Sequence, residues 1–85
     1  MAITGYEIVN NSVSIADGNS DSVQALAPEG KVVVGGGWTH DGDPALVHLT
    51  KNESGQYGDS WDVAAHNASG TTITLRVRAA FVNAS

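Results

Sequence analysis

Residues 72–82 alternate with a period of two: Ile73, Leu75, Val77, Ala79 and Phe81 share one face, and Thr74, Arg76 and Arg78 share the other. Wound into a helix, the same residues would scatter charge around the whole cylinder, so the pattern predicts a long strand with one buried face. Residues 60–67 repeat the logic, with Trp61, Val63 and Ala65 pointing one way and Asp62 and His66 the other. The short polar link at residues 67–70 predicts that these two strands form an antiparallel hairpin. Residues 45–50 place Ala45, Val47 and Leu49 on one face, with Leu46 and His48 opposite. Residues 6–9, 13–15 and 22–27 are shorter strand candidates.

The segment Lys31-Val-Val-Val-Gly-Gly-Gly-Trp38 carries a β-branched run that stops on consecutive glycines. Valine is costly in a helix and packs well on a pleated surface, so the run predicts a core strand. Glycine inside a strand gives up packing and is useful where the backbone bends or a ring comes close. A kink at Gly35–Gly37 that seats Trp38 is expected.

Between the strands lie turn-rich segments: Asp17-Gly18-Asn19-Ser20-Asp21, Pro28-Glu29-Gly30, His40-Asp41-Gly42-Asp43-Pro44 and residues 52–58. About six to seven short strands of alternating pattern predict an all-β fold, an antiparallel sandwich or flattened barrel, in a single domain spanning residues 1–85.

Composition narrows the function. Nine acids stand against Lys31, Lys51, Arg76 and Arg78, for a net charge of −5. Binding to nucleic acid needs a cationic surface that releases counterions, so DNA and RNA are not expected partners. No apolar run approaches the ~20 residues of a membrane-spanning helix, and no signal peptide is recognisable at the start. With no cysteine there is no disulfide and no thiolate metal site. Small domains lacking both often gain stability by oligomerising.

Catalytic chemistry finds little material. The serines show no Gly-x-Ser-x-Gly elbow, and neither a Gly-Lys-Ser/Thr nor a helix follows the glycines to cradle a phosphate. Asp41-Gly-Asp43 resembles half a calcium loop, and Asp17, Asn19 and Asp21 supply alternate oxygens, but neither completes a cage; both read as turns. His48 and His66 fall on outward faces and would meet only if their strands were neighbours. No metal site, cofactor or enzymatic activity is expected. Four Asn-x-Ser sequons, at Asn10, Asn52, Asn67 and Asn83, fall in or beside predicted turns or at the terminus. Trp61 and Phe81 have core parity, whereas Trp38 and Tyr57 flank the longest loops. With Asp41 or Asp43 as acceptors, Trp38 and Tyr57 are the candidate ligand-binding residues, suited to a sugar.

The opening Ile3-Thr-Gly-Tyr-Glu-Ile-Val9, the centre Ala27-Pro-Glu-Gly-Lys-Val-Val-Val-Gly-Gly-Gly-Trp38, then Ser60-Trp-Asp-Val63 with Asn67, and residues 74–80 together follow a recurrent pattern. It resembles the small β-rich heads found after collagen-like or fibre-like repeats on bacterial surfaces and in phage virions. Where that pattern has cysteines, this chain has Ala27 and Phe81; the resemblance implies that this small–large pair fills the space of a buried disulfide. The loss suits assembly in a reducing cytoplasm. A chain beginning with its own Met1 before the pattern would be held by partner subunits rather than by a shaft. The resemblance implies a structural virion component, a capsid decoration (cement) protein or a fibre or spike tip, acting as a homotrimer with virion shell or fibre proteins as partners. The bacterial cell surface is the alternative location. Arg78, Ala80 and Val82, on the outward side of the last strand, are the expected interface. The alternative function is a carbohydrate-binding module that holds a surface glycan.

Overall fold

The computed structural model describes residues 5–83; Ile3 and Thr4 of the opening motif lie outside them. Six strands follow one another: β1 (Glu7–Ile15), β2 (Ser20–Leu26), β3 (Lys31–His40), β4 (Val47–Ser54), β5 (Ser60–Asn67) and β6 (Ile73–Asn83). They form two three-stranded antiparallel sheets, ordered β1-β6-β3 and β2-β5-β4. The sheets pack face to face as a sandwich and do not close into a barrel. Among the described residues there is no helix long and apolar enough to cross a membrane.

The two strands with the clearest alternation occupy the two central positions. On β6, Ile73, Leu75, Val77, Ala79 and Phe81 are all at most 1% exposed, and on β5 Val63 and Ala65 are buried equally deeply. Ile15, Val23, Ala25 and Val47 complete the core from the outer strands, and Ala27 packs at its margin in the same cluster as Phe81.

The expected β5–β6 hairpin is not formed. β5 pairs with β2 and β4, whereas β6 pairs with β1 and β3, so residues 68–72 carry the chain from one sheet to the other. Asn67 makes this crossing possible. Its buried side chain donates through Nδ2 to the Ile15 carbonyl (2.8 Å) and the Thr71 carbonyl (2.7 Å), and its Oδ1 accepts from Ser69 N (2.9 Å) and Ser69 Oγ (2.6 Å). The main chain of Asn67 adds bonds to Gly18 and Asn19. One amide therefore ties the ends of β1 and β5 to the start of β6. Such full satisfaction is what allows a polar group at 0% exposure. Asn67 is accordingly a buried residue rather than a surface sequon.

The hairpin within one sheet is β4–β5, closed at residues 55–59, where Gly55 N bonds to Ser60 O. β4 extends through Asn52, Glu53 and Ser54, which the sequence assigns to a loop. Likewise residues 6–9 and 13–15 are joined in one strand, because the polar stretch Asn10-Asn11-Ser12 is an edge segment paired to β6.

β3 also departs from expectation. It is an edge strand, and of its valines only Val33 packs against the core, with Val32 and Val34 exposed. The register slips between Val33 and Gly35, a bulge that leaves Val34 unpaired. The ring accommodated by the glycines is Trp61, not Trp38: a Cβ on Gly36 would lie 2.4 Å from Trp61 Cγ. Trp61 Nε1 donates to Asn52 Oδ1 (2.9 Å), which holds the indole in that position. β3 begins from a tight turn in which Lys31 N bonds to Pro28 O and Gly30 has φ +80°; glycine at that position is what a type II turn requires.

Candidate functional site

Because β6 alternates so strictly, its second face stands on the outside of the β1-β6-β3 sheet. The register sets Ala80 opposite Ile8 and Gly35, Arg78 opposite Asn10 and Gly37, Arg76 opposite Ser12 and Thr39, and Val82 opposite Val32. Gly35 and Gly37 carry no side chain above this surface, so the β3 flank is low and a groove of ≈ 620 Å³ opens along the sheet. Tyr6, Ile8 and Ala80 line its apolar part; Asn10, Arg76 and Arg78 line its polar part.

The charge on this groove is distinctive. Lys31 is spent on Glu7 (3.0 Å), and Lys51 lies 3.6 Å from Asp62. Among the described residues, neither Arg76 nor Arg78 has a carboxylate in ion-pair range. An acidic chain thus places both arginines two residues apart on one exposed face, with no acid of the described residues beside them. Chemically, the face offers an apolar patch for contact and two guanidinium forks for carboxylate or another anion.

The expected interface residues Arg78, Ala80 and Val82 all lie on this surface, Arg78 exposed and the other two half-buried. The candidate ligand-binding residues are spread more widely. Register places Trp38 opposite Val77, towards the inner side of an edge strand, where it remains 36% exposed beside the groove. Its ring stacks on His40 with centroids 5.4 Å apart. Tyr57 is 79% exposed in the β4–β5 turn, whose Gly58 carbonyl accepts from Val33 N. Val33 and Trp38 are five residues apart on β3, roughly 16 Å at strand rise, so the structure does not bring the two rings together.

Asp41 and Asp43 are occupied in the turn after β3. Asp41 Oδ1 accepts from Thr74 N (2.8 Å), pinning the turn to the start of β6, and Asp43 Oδ1 accepts from Ala45 N (2.9 Å) in an Asx turn. In the other acidic loop, Asp17 Oδ1 accepts from Gly70 N and Asp21 Oδ1 from Ser22 N. Among the described residues no group of three or more His, Asp or Glu converges on a common point.

Arg76 is the residue that sequence reasoning leaves out of the interface. The same parity that selects Arg78 and Ala80 also selects it, and its lack of an ion-pair partner among the described residues emerges once both lysines have found acids. Comparison with protein families, with curated proteins and with solved structures finds no match.

Proposed function

We propose that this protein is a structural module of a phage virion, a capsid decoration protein or a fibre or spike tip head, which assembles through the outer face of β1-β6-β3. The role is assembly rather than catalysis, and the assembly is a homotrimer. The observation that carries this reading is that face itself. Among the described residues, Tyr6, Ile8, Val32, Ala80 and Val82 form an apolar end that no other element covers, continuous with two arginines that have no acid in ion-pair range. A second copy of the chain is the fitting occupant, because a surface of net charge −5 supplies the carboxylates that Arg76 and Arg78 lack. A small cysteine-free domain also gains most from such burial. The resemblance of the glycine centre and last strand to fibre heads adds the virion context, with synthesis in the host cytoplasm; the bacterial surface is the alternative setting.

Sedimentation equilibrium at micromolar concentration tests this. A mass of three chains is expected, shifting towards one chain in Arg78→Glu and Ala80→Asp, both of which leave the core untouched. A single-chain mass for the unaltered protein would overturn the oligomer. Copurification with assembled particles, in fixed ratio to the major shell protein, tests the virion assignment.

A carbohydrate-binding role is the second reading, favoured by Trp38 standing at the edge of a groove that also holds Asn10 and Arg76. Glycan-array binding that disappears in Trp38→Ala, with the mass unchanged, would support it over assembly.

A further inference from the structure

On the opposite side of the sandwich, the register sets His48 of β4 directly opposite His66 of β5, and Ser20 of β2 directly opposite His66 on its other flank. The three residues form one row across the outer face of β2-β5-β4. We propose that His48 and His66 form a two-imidazole site for a divalent transition metal, with Ser20 positioning the His66 ring.

Residues directly opposite on antiparallel strands hold their Cβ atoms about 4.5–5.5 Å apart. Side-chain rotation from that separation lets both rings reach one ion at the ~2.0–2.1 Å of a Zn–N bond. His66 is half-buried, and its Nδ1 lies 2.8 Å from Ser20 Oγ. A metal selects the tautomer in which Nδ1–H donates to that hydroxyl and Nε2 presents its lone pair outward. A hydrogen-bond partner on the far ring nitrogen is what fixes a ligating histidine. The next row of the same face is Ser22, Ala64 and Lys51, the first two small and the lysine drawn to Asp62 (3.6 Å).

Two protein ligands leave the remaining coordination positions to water, which makes the site open and exchangeable rather than structural. Paired imidazoles favour Zn²⁺, Ni²⁺ and Cu²⁺ over Mg²⁺ and Ca²⁺, which prefer oxygen. Coordination by the first ring makes the second an intramolecular step, and this is the source of the selectivity for the pair over a lone histidine.

The test is calorimetric titration of the full chain with NiCl₂ and ZnCl₂, alongside NMR of the imidazole C–H signals. One ion per chain is expected, perturbing His48 and His66 and sparing His40, with no competition from Ca²⁺. His48→Ala and His66→Ala should each weaken binding at least tenfold, and Ser20→Ala several-fold, with thermal midpoints in the absence of metal unchanged. Binding within twofold of the original in either histidine variant, a response confined to His40, or no binding up to millimolar metal would each overturn the proposal.

Discussion

Replacing Asn67 by alanine should be the most damaging polar substitution in the chain. The change removes four side-chain hydrogen bonds: two donated to the Ile15 and Thr71 carbonyls and two accepted from Ser69. Each is worth a net ~1 kcal/mol, and an acceptor stranded away from water costs ~1–3 kcal/mol. Water can replace the partners at the half-exposed Ser69 end but not at the buried Ile15 carbonyl, which points to a total of about 3 kcal/mol. A domain of this size holds only about 4–13 kcal/mol in all, and the thermal midpoint should fall by roughly 12–24 °C. Urea unfolding followed by circular dichroism measures the difference directly. Asn67→Asp sharpens the test, because it keeps the shape and the acceptor but sets a carboxylate oxygen against two carbonyl oxygens. That burial raises the folded-state pKa of the new acid, so the native state takes up a proton. Its deficit should therefore be largest at neutral pH, shrink as the pH falls through the raised folded-state value, and level off below the ~3.9 of an unfolded aspartate. A loss under about 1 kcal/mol for Asn67→Ala would mean that the crossing between sheets is held by something else.

Gly36→Ala should cost ~1–3 kcal/mol in a urea titration, since its Cβ meets an indole that Asn52 holds in place. Gly35→Ala and Gly37→Ala, which enter open space, should be neutral or stabilising by up to ~1 kcal/mol; equal penalties at the three positions would contradict the bulge geometry. Phe81→Ala, at the fully buried end of β6, should lose ~3–5 kcal/mol, whereas Tyr57→Ala, whose ring is mostly in solvent, should stay within ~0.5 kcal/mol. Differential scanning calorimetry of the pair separates the two cases.

These positions also mark what was legible in the sequence and what was not. Alternation on β5 and β6 revealed both core faces, because side-chain parity is a local property of a strand. It also exposed Arg78, Ala80 and Val82 as outward-facing, and the same rule extends to Arg76. Pairing partners are not local. A short polar link containing Asn67 can close a hairpin or carry the chain between sheets, and the choice depends on the Ile15 carbonyl, fifty-two residues away, that receives the amide. The same limit governed β1 and β4. Asn10-Asn11-Ser12 and Asn52-Glu53-Ser54 have loop composition, yet an edge strand needs main-chain pairing on one side only and can leave its side chains in water.

Register decides the remaining cases, and it bears most directly on function. The glycines of β3 announced a close approach by a ring, but which tryptophan arrives is set by how the two sheets superpose, and that places Trp61 over Gly36. His48 and His66 are each unremarkable alone on an outward face. A shift of one residue between β4 and β5 would send one imidazole to the core and separate the pair. What holds the register is the burial of Val47 and Val63 on the inner side of the same strands. The core therefore specifies the outer surfaces indirectly: burying one face of each central strand fixes which residues meet on the other. On β6 that outcome is two arginines above a glycine floor; on β5 it is two histidines and a serine in a row. Substitutions that loosen the core should for this reason weaken assembly and metal binding together, whereas Arg78→Glu and His66→Ala should each affect one and spare the other.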